Sequence, residues 1–477
     1  MQGYLKRLAT SGAAYQASSL VAGFLALFTL PLYTRHLTEA ELGYAETLLT
    51  TIILVSIVLR FGVGEAFVRF YFDDDDPRRR DRLARRTVSF VLVTSTAAAL
   101  VGVALAAPLS RALMRIDDAT LMAYGVLGLW AFTNLEIAYA LLRVDERRRT
   151  YLRASVANVV LTVALTVTLV VGFDAGARGY VLGNYAASTV VLVGLWVFAL
   201  RDRVGLDLSA PRSLGPLLRF GAPTVPADAA VFALNVVDRA WLLRADSPAA
   251  AGIYAVAVKL ATVVIVAVRG FQYAWPPLAY SITDEDEARH LYALVTTAYV
   301  IVAGLVVAGL TLLGRWVVRA LTSDPFFAAH EALPWVALGW ALYGLFLVFV
   351  TIAGRAKVTT RTFPAAAIGL VVNVVGLAVL VGPLGPSGAG ISLCAAYLAM
   401  LVAVHLLTRR LFVVPFEWPR LARIVAILAG ASVAGEVVLP QSGLGGFASR
   451  ALVLAAIPVL LAPELRRLRG RLLAGTA

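Results

Sequence analysis

The sequence predicts an all-α polytopic membrane protein of about fourteen transmembrane helices, with two six-helix lobes in a parallel pseudo-two-fold repeat and two further C-terminal helices. Hydrophobic residues make up 60% of the chain and charged residues 15%, which is more apolar surface than a water-soluble core hides. Apolar runs of about twenty residues, the length that crosses a bilayer as a helix, recur from end to end. Landmark residues also repeat at one interval of 209 residues.

The apolar runs give the spans in chain order. The predicted limits are 10–34, 44–72, 87–109, 120–142, 154–173, 179–200, 219–243, 251–278, 291–312, 331–353, 364–383, 389–408, 421–438 and 447–463. The first run is expected to be a span and not a removable leader, because it is too long for a signal peptide and lacks a convincing cleavage site.

Lys and Arg residues are divided unevenly between the two sides of these spans. The N-terminus and every second connection carry 29 of them, whereas the opposite loops carry 8. The positive-inside rule therefore predicts that both termini are cytoplasmic. The net charge of +13 is then expected to reflect topology and contact with membrane lipids, and not binding to nucleic acid.

The 209-residue interval pairs landmarks without a gap. Gly12 with Gly221 and Ala13 with Ala222 are predicted to open helices, Arg35 and Arg244 to lie in loops, and Thr38 and Ser247 to be hydroxyl caps. Gly43 and Gly252 are predicted to lie at helix starts, and Arg60 and Arg269 to be buried. An even number of spans in the first copy gives both copies the same orientation. The predicted domains are an N-lobe at 1–200, a cytoplasmic linker at 201–218, a C-lobe at 219–410, and two spans with a basic tail at 411–477.

Charges within the spans are the candidate functional residues, because a charge at the bilayer centre costs about 2.5–3.5 kcal/mol on insertion scales. Arg60 and Arg269 lie near the middle of repeat-related spans, and cations at matching depth are typical of a transporter. Arg60 has no partner three or four residues away on its helix, so a cavity or an inter-helix pair must satisfy it. Alternatively, Arg60 or Arg269 is paired with a carboxylate within the spans, Glu136 or Asp228.

Span 7 carries a second group of polar residues. Asp228, Asn235 and Asp238 are spaced i, i+7 and i+10, which places them on one helix face, and Arg239 points about 100° away from Asp238. Two interpretations remain open at this point. These residues line a cavity, or Asp238, Arg239 and Lys259 form a buried structural network between spans 7 and 8. The spans hold five basic and five acidic residues, so the sequence does not predict a net-positive lumen.

Other function classes lack the residues they need. No glycine-rich phosphate loop is present for an ATP-driven pump, and the four His residues show no metal-ligand spacing. The single Cys394 excludes an internal disulfide. A membrane glycan polymerase or ligase is disfavoured because the outward loops are too short to hold its active site, and a passive scaffold would not need matched buried cations.

Several segments resemble bacterial polysaccharide-biosynthesis membrane proteins. These segments are 31–35 (PLYTR), 37–44 (LTEAELGY), 69–73 (RFYFD), 238–239 (DR), 252–254 (GIY) and Lys259. The family comprises the lipid-linked oligosaccharide (O-antigen type) flippases of the multidrug/oligosaccharidyl-lipid/polysaccharide exporter superfamily. The resemblance covers most of the chain in layout, with its motifs concentrated in spans 1–2 and 7–8.

The resemblance implies an alternating-access flippase, without a cofactor, that moves an undecaprenyl-diphosphate-linked glycan to the outer leaflet. Arginine offers a planar fork of donors that matches phosphate oxygens. The substrate-binding candidates are therefore Arg60, Arg269, Arg35, Arg239 and Lys259. The candidates for coupling to H⁺ or Na⁺ are Asp228, Asp238 and Asn235. Glycan polymerase or ligase machinery is a candidate partner, and an ion-coupled drug or metabolite exporter of the same superfamily is the alternative function.

Overall fold

The computed structural model describes residues 21, 23–71, 76–205, 214–282, 284–355 and 362–474. Throughout these ranges the regular structure is helical and no strand is present, which confirms the all-α fold class. By its contacts the chain divides into two compact units, Met1–Ala255 and Val256–Ala477. The predicted lobes, with the linker at 201–218, were defined by the repeat and remain a prediction.

Among the described residues, eleven helices begin in the first unit. They are α1 at 23–36, α2 Glu39–Leu59, α3 Val63–Tyr71, α4 Pro77–Ala104, α5 Ala106–Met114, α6 Ala119–Val144, α7 Arg148–Val167, α8 Gly176–Gly194, α9 Gly215–Gly221, α10 Val225–Ala245 and α11 Pro248–Leu260. α7 and α8 each continue into a short π-helical turn, Thr168–Gly172 and Leu195–Ala199. α11 extends across the boundary of the unit.

α6 is the central helix of the first unit. In its most apolar window, 78% of the residues are buried, compared with 17% for α7. α6 packs against α2, α4 and α8, and the surrounding core contains Phe67, Leu135 and Leu192. The low burial of α7 is what a helix facing lipid requires, because apolar side chains need no protein cover in a bilayer.

The second unit continues the chain with seven helices that the structure describes. They are α12 Thr262–Ser281, α13 Glu285–Leu321, α14 Ala329–Arg355, α15 Thr362–Thr408, α16 Trp418–Val438, α17 Gly443–Leu460 and α18 Ala462–Ala474. α14 is the most buried of the long apolar helices in this unit, with 61% of its window covered. It packs against α12, α13 and α15.

α15 is a hairpin of two helical arms. Gly385 breaks it with φ 51° and ψ −131°, a conformation that glycine adopts at little steric cost. A Cβ on Gly376 would lie 2.8 Å from the Ser392 hydroxyl oxygen, so residues on either side of the break face each other. Each arm is long enough to cross the bilayer at about 1.5 Å per residue. The two predicted spans, 364–383 and 389–408, correspond to these arms.

The predicted count of fourteen spans is not confirmed. Ten helices among the described residues are long and apolar enough to cross a membrane, or eleven when the bent pair α11 and α12 is taken as one span. The predicted span 44–72 is wrong as one helix, because it is interrupted between Leu59 and Val63. About half of the first predicted span, 10–34, lies outside the described residues, and nearly all of the rest belongs to α1.

The repeat is visible in the order and capping of the helices. α2 begins at Glu39 and α11 at Pro248, 209 residues apart. The predicted hydroxyl caps are confirmed at both starts: Thr38 accepts from the Glu41 amide at 3.2 Å and Ser247 accepts from the Ala250 amide at 3.1 Å. Arg35 and Arg244, predicted as loop residues, are instead the last-but-one residues of α1 and α10.

Two repeat-related glycines bring α2 and α11 into backbone contact. A Cβ on Gly43 would overlap the Pro248 carbonyl and lie 2.9 Å from the Gly252 amide nitrogen. A Cβ on Gly252 would in turn overlap the Glu39 carbonyl and lie 3.1 Å from the Gly43 amide nitrogen. The contact is reciprocal, as expected where a local two-fold axis passes between equivalent residues. It fixes α2, which carries the candidate site described next.

Candidate functional site

Arg60 lies at the interruption that follows α2. α2 ends at Leu59, and Arg60 is its C-cap residue. Phe61 and Gly62 then take left-handed φ angles of 48° and 66° before α3 begins. A Cβ on Gly62 would overlap the backbone of Gly221, and the reverse is also true. The close approach of these two backbones therefore accounts for the break between α2 and α3. Arg60 lies directly beside this break, within a predicted span.

The Arg60 side chain is paired with a carboxylate on another helix. Its Nη1 lies 3.7 Å from Oε2 of Glu136 in α6, and its Nε donates to the Ser56 carbonyl oxygen at 3.3 Å. Thr133 donates to the Ser56 hydroxyl at 2.9 Å, which adds a second link between α2 and α6. The alternative in which Glu136 holds Arg60 is thus confirmed. The pair is loose and accessible, since 17% and 30% of the two side chains are exposed.

A more deeply buried cluster joins α2, α8 and α10. Tyr180 donates its hydroxyl to Oε1 of Glu46 at 2.7 Å, and Nη1 of Arg239 lies 3.7 Å from Oε2 of Glu46. Only 8% of either charged side chain is exposed. The Tyr33 ring packs edge-on against Tyr180 at 5.1 Å between centroids. These contacts hold the Glu46 carboxylate in place and keep it away from water.

Asp238 turns the other way from its neighbour Arg239. Tyr254 of α11 donates its hydroxyl to Oδ2 of Asp238 at 2.8 Å, and Asp238 is 1% exposed. The two adjacent residues of α10 thus contact different helices, as the predicted angle of about 100° between them requires. Asp238 links α10 to α11 (spans 7 and 8), whereas Arg239 contacts Glu46 of α2. The predicted network of Asp238, Arg239 and Lys259 between spans 7 and 8 remains a prediction.

The remaining candidate residues are dispersed or outside the described side chains. Arg35 is exposed at the end of α1, and Lys259 is partly buried in α11. Arg269 lies in α12, while Asp228 and Asn235 lie in α10, but the side chains of these three fall outside the described part of the structure. The substrate and coupling roles of all eight candidates therefore remain predictions. Across the described residues, no group of three or more His, Cys, Asp or Glu side chains is placed to hold a metal ion.

Three contributors to the site were not predicted as site residues. Tyr180 and Tyr254 orient the two buried carboxylates, and Thr133 supports the Arg60 pair. Their partners lie 134, 16 and 77 residues away along the chain. Only the Tyr254 contact has a sequence indication, because Asp238 and Tyr254 both belong to segments that resemble the family. The other two depend on helix packing that spacing does not reveal.

The second unit contains a large cavity among α13, α14 and α16. Its volume is about 810 Å³, and most of its lining is apolar, including Val307, Leu338, Leu345 and Leu428. The charged lining residues gather where these helices approach their connecting loops. The charged residues of this end are Arg315, Glu331 and Glu436, and His330 and Gln441 lie beside them, whereas Tyr299, Thr311 and Ser432 are polar lining residues farther along the helices. The cavity is therefore amphipathic along its length, with an apolar body and a charged end.

Comparison with solved structures identifies proteins of the same fold. "Lipid II flippase MurJ, inward closed conformation" aligns with a TM-score of 0.71 at 13% identity, over 96% of this chain and 99% of that one. An inward-facing multidrug resistance MATE family transporter of the MOP superfamily aligns with a TM-score of 0.67 at 16% identity, over 83% of this chain and 94% of that one.

A MOP superfamily transporter from Pyrococcus furiosus also aligns, with a TM-score of 0.59 at 17% identity over 88% of this chain and 96% of that one. These similarities show that the chain shares the fold of these three proteins. No curated protein matches the sequence closely enough to serve as a relative. The model of one sequence family, described as polysaccharide biosynthesis protein, matches residues 9–282, which is more than half of the chain. The chain therefore belongs to the polysaccharide biosynthesis protein family.

Proposed function

We propose that this protein is a flippase that moves an undecaprenyl-diphosphate-linked oligosaccharide from the inner to the outer leaflet of the cytoplasmic membrane. The family supports a role in polysaccharide biosynthesis, and the fold supports alternating access by a membrane transporter. The substrate must expose its diphosphate to the protein while its lipid part stays in the membrane. The site therefore needs an accessible cation within a span.

The Arg60–Glu136 pair is the observation that carries this proposal. It is held at 3.7 Å and is partly exposed, so its net contribution to stability is small, on the order of 0–1 kcal/mol. A diphosphate has more oxygen acceptors than the Glu136 carboxylate and can replace it on the guanidinium fork. Arg239 is less suited to this exchange, because its pair with Glu46 is almost fully buried.

Replacing Arg60 by alanine is expected to lower surface glycan export about tenfold or more at equal protein level, because a charge-assisted contact contributes about 1.5–3 kcal/mol. Lysine at this position should restore export only in part, since it lacks the planar fork. Glu136→Gln distinguishes a substrate-binding role of Arg60 from a purely structural role in the ion pair with Glu136. It should leave export near wild type if Arg60 binds substrate, but should reproduce the Arg60→Ala defect if the ion pair matters only for structure.

The matched control is Arg111→Ala. Arg111 lies in α5, is exposed, and donates only to the Ala107 carbonyl oxygen at 3.5 Å, so export should not change. The double variant of Arg60 and Arg269, both to alanine, extends the test to the second repeat. Normal export from that double variant would reject a substrate role for the repeat-related arginines.

A second candidate function is ion-coupled export of a drug or metabolite. The observation that favours it is the burial of two carboxylates within predicted spans, Glu46 and Asp238, each of which accepts a hydrogen bond from a tyrosine hydroxyl. Buried acids within spans serve as proton or cation carriers in many transporters. Deletion of the gene discriminates the two functions: a loss of drug efflux with intact surface glycan supports the exporter, and a glycan defect with unchanged drug tolerance supports the flippase.

A further inference from the structure

We propose that the cavity among α13, α14 and α16 is a binding site for an outer-leaflet glycerophospholipid, with its phosphate at the charged end and an acyl chain along the apolar wall. Lining residues run along α13 from Tyr299 to Arg315, about 24 Å of helix at 1.5 Å per residue. This length exceeds one leaflet of a hydrocarbon core of about 30 Å. A much longer chain, such as undecaprenyl, would extend beyond the cavity.

Behind the charged end lies a fully buried arginine that contacts one of the lining carboxylates. Arg450 of α17 is 0% exposed, and its Nη1 pairs with Oε1 of Glu436 at 2.5 Å and with the Leu312 carbonyl oxygen at 3.3 Å. Its Nε and Nη2 have no hydrogen-bond partner among the described residues. The guanidinium also lies 5.5 Å from the centroid of the Trp316 ring. A buried charge with unpaired donors is costly, and Glu436, which Arg450 contacts, lines the cavity.

A second arginine lines the same end directly. Nη1 of Arg315 donates to Oε1 of Gln441 at 2.6 Å, and its guanidinium lies 5.6 Å from the centroid of the Phe327 ring. The remaining donors of the Arg315 fork suit a phosphate oxygen. Arg319 contacts the other part of the Phe327 surface, at 4.4 Å, but it does not line the cavity.

The acidic residues at this end favour a phospholipid headgroup over a bare anion. Glu331 and Glu436 line the cavity together with Arg315, so the end offers acceptors as well as donors. A phosphate would contact Arg315, and the amine or hydroxyl of the headgroup would contact the carboxylates. The predicted topology places the connection after α13 on the outer side, which assigns the lipid to the outer leaflet. The site does not depend on which substrate the protein transports.

The test is saturable lipid binding to the purified full-length protein, followed by native mass spectrometry and by thermal stabilisation. The probes are phosphatidylethanolamine, diacylglycerol with the same chains, and a polyprenyl monophosphate. Phosphatidylethanolamine should bind at least tenfold more tightly than diacylglycerol. Equal binding of these two, or tighter binding of the polyprenyl phosphate, would overturn the proposal.

Variants locate the site and separate it from general lipid solvation. Arg315→Gln should weaken phosphatidylethanolamine binding about tenfold, because one charge-assisted contact is lost, while its matched control Arg319→Gln should change binding less than twofold. Ala303→Phe, which fills the apolar part, should abolish binding and leave the charged end intact. Unchanged affinity in both Arg315→Gln and Ala303→Phe would contradict the assignment, whatever the outcome of the glycan export experiments.

Discussion

Arg239→Met is expected to destabilise the protein by about 3–5 kcal/mol, because it leaves the Glu46 carboxylate buried without its cationic partner. The side chains of this pair are each 8% exposed, so water cannot replace the lost partner without opening the contact between α2 and α10. The loss would be measured as a lower midpoint of thermal or denaturant unfolding of the detergent-solubilised protein.

The double variant Arg239→Met with Glu46→Gln is the internal control. It removes both charges and keeps an acceptor for the Tyr180 hydroxyl, which donates to Glu46 at 2.7 Å. Its stability should return to within about 1 kcal/mol of the wild type, since neutral replacements of buried ion pairs are often tolerated. If the double variant were no more stable than Arg239→Met alone, the unpaired Glu46 charge would not be the cause of the lost stability.

Alanine at Gly43 or at Gly252 is expected to separate α2 from α11. Each added Cβ would overlap a carbonyl oxygen of the facing backbone, and a backbone cannot move aside as a flexible side chain can. Overpacking of this kind costs about 1–3 kcal/mol, and more where the chain is held on both sides. The measurements are the unfolding midpoint and the yield of folded protein extracted from membranes.

Gly430→Ala in α16 provides the matched helical glycine. No atom lies within 4 Å of a Cβ built there, so this substitution should stabilise its helix slightly, by about 0.5–1 kcal/mol. Alanine is therefore expected to lower the free energy of unfolding at Gly43 and Gly252 and to raise it at Gly430. If Gly43→Ala and Gly252→Ala behaved as Gly430→Ala does, the backbone contact would not be present in the membrane.

The features that local sequence chemistry controls were predictable. Thr38 and Ser247 cap their helices because hydroxyls satisfy free amide donors at a helix start. The repeat interval follows from landmarks that the structure places at equivalent positions, and it also relates Gly176 and Gly385. These two glycines, 209 residues apart, have left-handed φ angles of 55° and 51°. Span positions followed from hydropathy in the same way, because a lipid-facing helix must be apolar over its whole length.

The features that depend on distant packing were not predictable. The break after Arg60 arises because Gly62 meets Gly221, residues far apart in the chain with no shared local pattern. The pairing of Glu46 with Tyr180 and Arg239 likewise follows from the packing of α2 with α8 and α10. Hydropathy joined α2 and α3 into one span, because a single interruption hardly changes the average over twenty residues. Spacing along one helix shows which faces carry charge, but not which helix each face meets.

Transbilayer movement of a lipid-linked glycan in proteoliposomes tests the proposed function most directly. Purified protein would be reconstituted with a fluorescent undecaprenyl-diphosphate-linked oligosaccharide, and the glycan exposed on the opposite leaflet would be measured with time. We expect movement faster than in protein-free vesicles, about tenfold slower with Arg60→Ala and unchanged with Arg111→Ala. Movement no faster than in protein-free vesicles, together with ion-dependent uptake of a cationic drug by the same preparation, would contradict the proposed function.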